Sequence, residues 1–308
     1  MKLSQLGEFG LIERLAKELG RPSRKVIIGI GDDTAVIQSR AGYQLITTDT
    51  LIENIHFKLK TISFFDLGYK ALAINISDII AMGGYPTHAL VTIGANKNIS
   101  VGRIEELYRG IKKLARKYRI EVIGGDTVQS PKELVVSITL LGGVEKECLL
   151  TRSNAKVGDA ILVTGNFGGP ASKKFDNRKL KVESRLKEAR IIAKAGKCSS
   201  MIDSSDGLVR SVLEICKASK TGARIWLDSV PVARAATLNQ ALYGGEEYEL
   251  IFTTPRSNAV ELMNGVQRRT KTKVKIVGEM VARKRGIKLV DVHGKILALR
   301  SGGYEHFR

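Results

Sequence analysis

The segment Tyr69-Lys70-Ala71-Leu72-Ala73-Ile74-Asn75-Ile76-Ser77-Asp78-Ile79-Ile80-Ala81-Met82-Gly83-Gly84 decides how the rest of this chain is read. With the residues just before it, the pattern predicts one long helix over 66–82, stopped by Gly83-Gly84-Tyr85-Pro86. Ala73, Ile74, Ile76, Ile79, Ile80 and Ala81 make it apolar nearly all round, and such a helix has to be covered by other elements. Asp78 breaks that pattern. A buried carboxylate is costly unless a strong partner faces it. A capping or hydrogen-bonding Asp near a helix end would explain Asp78 taken alone.

Asp78 is one of a series. Acids in small-residue or apolar settings recur in Gly31-Asp32-Asp33-Thr34, Thr47-Thr48-Asp49-Thr50, Gly124-Gly125-Asp126-Thr127 and Asp203-Ser204-Ser205-Asp206-Gly207. Strands predicted over 25–30, 43–48 and 121–123 place Asp33, Asp49 and Asp126 beside strand ends, from which they could converge with Asp78 on one edge. Carboxylates brought together repel one another, so the arrangement makes most sense around a multivalent cation. Magnesium takes oxygen ligands at about 2.1 Å and keeps room for water and phosphate, which suits Asp and Thr side chains. Zinc is poorly supported, because His56, His88, His293 and His306 show no ligand spacing.

Outside these motifs, helices are predicted over 6–19 and 101–118 and strands over 89–93 and 134–141. The second half should hold strands over 160–164, 223–227, 248–253 and 274–278, with helices over 184–195, 207–219 and 258–269. The order is α/β, of the mixed α+β type, without a repeated nucleotide-binding βαβ unit. A polar, irregular segment over 145–158 puts a domain boundary near Cys148, giving domains 1–148 and 149–308, and 308 residues suit two cores. The Gly- and Lys-rich stretch 165–181 is expected to be a mobile loop.

Composition sets outer limits. Hydrophobic residues at 43% and charged ones at 26% are those of a globular protein, and no apolar run approaches a membrane span. The opening residues lack the apolar stretch of a secretory signal, so a cytoplasmic location is expected. Three scattered cysteines suggest neither a disulfide framework nor a zinc ribbon. The net charge of +19 would attract anions, yet dispersed Lys and Arg more commonly form a solvated surface. A basic nucleic-acid-binding protein is the rival of a different class, but no RNA-recognition aromatic motif or zinc finger supports it. A P-loop and a nucleophile elbow are also missing from the sequence. A polyphosphate would then be held chiefly through metal ions, and an acceptor that is already ionised, such as a phosphate, would need no general base.

The ordered series of motifs resembles the thiamine-monophosphate kinase family, within the superfamily of aminoimidazole-ribonucleotide-synthetase-like proteins. It runs from Gly29-Ile30-Gly31-Asp32-Asp33 through Thr47-Thr48-Asp49-Thr50-Leu51, His56-Phe57, the helix of Asp78 and Gly124-Gly125-Asp126-Thr127. It continues with Thr151-Arg152-Ser153, Asp203-Ser204-Ser205-Asp206-Gly207-Leu208, Gly244-Gly245-Glu246-Glu247-Tyr248-Glu249-Leu250 and Gly303-Tyr304-Glu305-His306-Phe307. The resemblance implies ATP-dependent phosphorylation of thiamine monophosphate to thiamine diphosphate by direct in-line transfer. It implies magnesium on Asp33, Thr47, Thr48, Asp49, Asp78, Asp126, Asp203 and Asp206. ATP would meet Tyr108, Gly125, Asp126, Arg152 and Ser205, and the thiamine side His56, Glu246 and Tyr304. Asp78, Asp126 and Arg152 would bear most directly on the transfer.

The implied fold is a two-domain one resembling aminoimidazole ribonucleotide synthetase, with an N-terminal sheet that pairs with its twin in a homodimer and a C-terminal α/β domain. ATP and thiamine monophosphate are the implied partners, with neither nucleic acid nor membrane. Another ATP-using member of the superfamily, sharing the aspartates but taking a different substrate, is the nearer alternative. Two departures stand out. Ser301 occupies a position where the family often has an aromatic residue against thiamine, and the segment after Thr164-Gly165 replaces the usual Gly-Asp-Ser turn with Gly168-Gly169-Pro170 and a short Lys-rich loop.

Overall fold

The computed structural model describes residues 2–20, 22–172, 182–297, 299 and 306–307. The decisive helix, α2 (Phe64–Ala81), forms where the periodicity places it, two residues earlier at its start. Its N-cap is Ser63, whose Oγ accepts from the Asp66 backbone N–H at 3.0 Å and donates to the Asp66 carboxylate at 2.7 Å. Thirteen of its 18 residues are buried, as a helix without a polar face requires. Helix α1 (Leu3–Leu19) begins three residues before the predicted 6–19, with a break at Gly7 (φ 73°, ψ 175°).

The first sheet has the order β1-β2-β3-β6-β4-β5, formed by β1 (Val26–Ile28), β2 (Ala35–Ser39), β3 (Gly42–Ile52), β4 (Tyr85–Ala95), β5 (Glu121–Gln129) and β6 (Val135–Val144). Only β4 and β5 run parallel, joined by α3 (Val101–Tyr118). Strand β2 was not legible in the sequence, and β3 runs well past the predicted 43–48. Asp49 therefore lies inside a strand rather than at its end, because β6 pairs with β3 all the way to Ile52. Asp126 likewise lies within β5, not after a strand ending at 123. Leu45, Leu51, Val136, Ile138 and Leu140 are buried on the side of α2, while Thr48, Thr50 and Leu90 on the opposite side are exposed. All nine residues of the edge strand β5 are exposed.

The second sheet, order β13-β12-β9-β11-β7-β10-β8, is built from β7 (Asp159–Thr164), β8 (Ser200–Asp203), β9 (Thr221–Trp226), β10 (Leu250–Pro255), β11 (Val274–Ala282), β12 (Ile287–Val290) and β13 (Ile296–Leu297). Strands β8, β12 and β13 were not predicted, and neither was the short α6 (Leu238–Tyr243). Helices α5 (Leu208–Ser219) and α6 pack in one apolar cluster with Ile161, Val163 and Ile251. Helices α4 (Leu186–Lys194) and α7 (Arg256–Thr270) belong to the other, which continues without interruption into the core around α2. Of the stretch 165–181, residues 173–181 lie outside the described residues.

Helices α2 and α3 cross closely. A Cβ on Gly68 would lie 2.0 Å from the Leu107 carbonyl oxygen, and one on Gly110 would lie 1.9 Å from that of Phe65. Gly110→Ala is therefore expected to cost about 1–3 kcal/mol, since backbone cannot yield as a side chain can. Urea denaturation checks this, and unchanged stability would contradict the close crossing.

Candidate metal and phosphate site

The site forms where α2 meets both sheets. Thr47 on β3 donates its hydroxyl to Asp78 Oδ2 at 2.6 Å, and Ser77 donates to Asp203 Oδ2 at 2.6 Å. Asp203 ends β8, and Asp33 comes from the turn between β1 and β2. One carboxylate oxygen from each of Asp33, Asp78 and Asp203 lies within 4.8 Å of the others. Asn75, a turn before Asp78, accepts from the Asp49 backbone N–H at 3.1 Å and so pins β3 to the helix. Ser77 and Asn75 were not singled out from sequence; their polar side chains in an otherwise apolar helix are the signal that could have found them.

Burial and crowding act together on these acids. Asp78 is held well above the usual carboxylate range, first by burial and then by Asp49, Asp203 and Asp33. Burial pushes Asp203 up to about 8 and Asp49 to about 6, with Asp33 adding to both. Asp206 rises to about 6 through burial and the nearby Glu8. Arg152 supplies the local positive charge, its Nη2 donating to Asp33 Oδ1 at 2.5 Å and its backbone N–H reaching Asp32 at 3.2 Å. Asp32 itself is pushed up to about 7 by burial and by Asp33. The second oxygen of Asp33 is buried without a hydrogen-bond partner. An all-oxygen donor set with an orphaned buried carboxylate oxygen fits a hard divalent cation.

A cavity of about 770 Å³ opens beside the cluster, lined by Thr47, Thr48, Arg152, Ser205 and Asp206, with Phe9 and Ile12 of α1 as its apolar wall. That is the size of a nucleotide-scale pocket. A second, smaller pocket joins His56, Glu246, Tyr248 and Lys70. His56 Nε2 lies 3.3 Å from Nε2 of His306, and burial lowers its basicity, with His306 and Lys70 adding to that. Tyr304 lies outside the described residues.

Thr48 turns to the face of β3 opposite Asp78, where its Oγ1 accepts from Thr139 Oγ1 at 3.2 Å and it borders the cavity rather than the carboxylate cluster. Three further expected residues lie away from the cluster within one chain. Asp126 and Gly125 lie on β5, and Tyr108 lies on α3, which leads into it. In register, Asp49 faces Ile138, Ile138 faces Val91 and Val91 faces Gly125, so two strands stand between β3 and β5. At the usual spacing that separates the two backbones by about 14 Å. The Asp126 carboxylate accepts from its neighbour Thr127 N–H at 2.8 Å and is exposed.

Family models for AIR synthase related proteins match the N-terminal domain over residues 31–144 and the C-terminal domain over 156–291. A thiamine-monophosphate kinase of Buchnera aphidicola (subsp. Schizaphis graminum) is 34% identical, over 98% of this chain and 99% of its own. The chain belongs to the thiamine-monophosphate kinase family. The family's Escherichia coli K12 member is also 34% identical, with 98% of both chains covered. A solved structure described as AaThiL complexed with AMPPCP and TMP superimposes with a TM-score of 0.83 at 28% identity, covering 99% of each chain. This kinase-family chain therefore shares the whole two-sheet architecture with its relatives.

The raised carboxylates dictate a pH dependence. Each has a folded pKa above its unfolded value, so its stabilising contribution is complete below about pH 4 and lost as pH climbs through the folded value. The range runs from about 6 for Asp49 and Asp206 to about 8 for Asp203. In chelator, the melting temperature should fall between about pH 5 and 8.5, and magnesium should raise it more at pH 8 than at pH 6. Asp78→Asn should raise the melting temperature in chelator at pH 8 and abolish the magnesium increment. A flat or rising profile in chelator would contradict the crowding.

Proposed function

We propose that this chain transfers the terminal phosphoryl group of ATP to the phosphate of thiamine monophosphate, giving ADP and thiamine diphosphate. An oxygen of the acceptor phosphate bonds to the γ-phosphorus as the bond from that phosphorus to the β–γ bridging oxygen breaks. The observation that carries this reading is the meeting of Asp33, Asp78 and Asp203 from both halves of a chain related end to end to kinases of that name. The acceptor phosphate is ionised at neutral pH, so none of these acids has to act as a general base.

A kinase that uses ATP implies a divalent cation, and magnesium is the one we assign. Asp33, Thr47, Thr48, Asp49, Asp78, Asp203 and Asp206 of one chain would hold it, and it would supply positive charge that offsets the phosphate charge during transfer. Arg152, which donates to Asp33, would bind two phosphate oxygens through its planar guanidinium once Asp33 holds the cation. Ser205 lines the same cavity and would meet ATP. His56, Glu246 and Tyr304 would take the thiamine end. Free thiols at Cys148, Cys198 and Cys216 and the need for ATP support a cytoplasmic setting, and among the described residues no helix is long and apolar enough to cross a membrane.

Asp126, Gly125 and Tyr108 we assign to the site of a partner copy in a homodimer. The exposed edge β5, with Val122, Ile123 and Val128 open to solvent, supports this, because such an edge invites strand or sheet pairing. The domains 1–148 and 149–308 then divide the work, the first joining the copies and the second closing over the cation cluster with Asp203 and Asp206.

The test combines product detection with complementation. The unaltered protein should form thiamine diphosphate from thiamine monophosphate, ATP and magnesium, and failure to do so would overturn the function. Asp78→Asn and Asp126→Asn should each lower turnover by about 10²-fold or more while remaining folded. Coexpressed in equal amounts, the two variants should recover about a quarter of normal turnover, since half the dimers are mixed and each mixed dimer holds one intact site of two. No recovery would contradict the shared site.

A further inference from the structure

Lys70 is the one lysine in α2, a turn into the buried part of the helix, with a side chain only 13% exposed. Its Nζ donates to Glu246 Oε1 at 2.5 Å across the pocket that also holds His56. Glu246 sits in a turn of unusual backbone, with Gly245 at φ 80°, Glu246 at φ 61° and Tyr248 at φ 52°. Two hydrogen bonds fix that turn, from Glu246 N–H to the Ser205 carbonyl at 2.6 Å and from Tyr248 N–H to the Ser204 carbonyl at 2.9 Å. A non-glycine residue held at positive φ stores strain that the surroundings must impose. The turn is thus built to present Glu246 to the pocket.

With the ion pair closed, the pocket has a volume of about 80 Å³. Ligand pockets usually need about 300–1,000 Å³, so a heterocycle enters only if the pocket's walls part, and the Lys70–Glu246 pair is the charged contact among them. The acceptor of the proposed reaction carries both charges the pair would lose, a cationic thiazolium ring and an anionic phosphate. Lys70 also stands eight residues before Asp78 on the same helix, about 12 Å along its axis. A lysine stem and a phosphate lying toward the cation cluster together span such a distance.

Resting on the function proposed above, we infer that Lys70 is an acceptor-specificity residue: it guards Glu246 in the empty site and, when the acceptor enters, gives Glu246 to the cationic ring and turns its ammonium to the acceptor's phosphate. The exchange trades one ion pair for two, so a molecule with only one of the two charges leaves a partner stranded. Thiamine itself, which lacks the phosphate, would satisfy Glu246 but strand Lys70.

The experiment measures KM for thiamine monophosphate, KM for ATP and the inhibition constant of unphosphorylated thiamine in the full-length protein and in Lys70→Met and Lys70→Arg. Lys70→Met should raise KM for thiamine monophosphate by about tenfold or more, leave KM for ATP within about twofold, and leave thiamine inhibition unchanged or stronger. Lys70→Arg should restore most of the lost affinity. A pair that merely staples the two domains would weaken thiamine and its phosphate equally, and that result, or an unchanged KM in Lys70→Met, would overturn the inference. Absence of turnover in the unaltered protein would overturn the function as well, so the two failures are told apart. If Lys70→Met fails to fold, Lys70→Gln with direct calorimetric binding of both ligands gives the same comparison.

Discussion

The mutual repulsion of carboxylates drawn from both halves of the chain is the constraint around which the remaining structure is arranged. Asp33 and Asp78 belong to the first half and Asp203 to the second, yet their oxygens lie within 4.8 Å of one another. Nothing in apolar packing rewards that, and burial makes it worse. The fold nevertheless enforces it, through one continuous core shared by α2, the first sheet and the inner face of the second. Arg152 relieves part of the charge, and Thr47 and Ser77 orient the acids toward a common point. A scaffold that spends stability on such a cluster makes sense when a multivalent cation and phosphates complete it.

The same logic accounts for the two ion pairs at the ends of the site. Arg152 on Asp33 and Lys70 on Glu246 each join a cationic side chain suited to phosphate with an acid suited to a cation. Both pairs stand where a charged ligand would take over one of the partners. Each pair offsets part of the local charge without apolar side chains, which would block substrate. The exposed outer face of the first sheet presents a parallel problem at the surface, and it is this face that the proposed second copy would cover.

Much of this was legible in the sequence. The 3.6-residue pattern placed α2 and α3 to within two residues, and α3 to the residue, because both helices owe their faces to packing. The acids were legible as a set because a carboxylate among Ile, Ala and Gly is conspicuous. Short strands were not: β2, β8, β12 and β13 carry two to five residues each and depend on neighbours that periodicity cannot see. The ends of β3 and β5 were also missed, since pairing with β6 and β4 extends them through Asp49 and through Gly124, Gly125 and Asp126, residue types that disfavour strands. Sequence order suggested that Asp126 shares one edge with Asp49, and only the strand order β3-β6-β4-β5 reveals the separation. Lys70 escaped notice because a single lysine on a helix ordinarily means a solvated position, whereas here it reaches a residue 176 positions away.

One measurement bears most directly on a cation cluster that positions two phosphates. In a complex with manganese, a non-hydrolysable ATP analogue and thiamine monophosphate, paramagnetic relaxation of the phosphorus nuclei reports which phosphates lie close to the ion. Strong broadening of both the terminal nucleotide phosphorus and the acceptor phosphorus is expected, with both effects lost in Asp78→Asn. Broadening confined to the nucleotide, or persisting undiminished in that variant, would contradict a shared cluster built on Asp78.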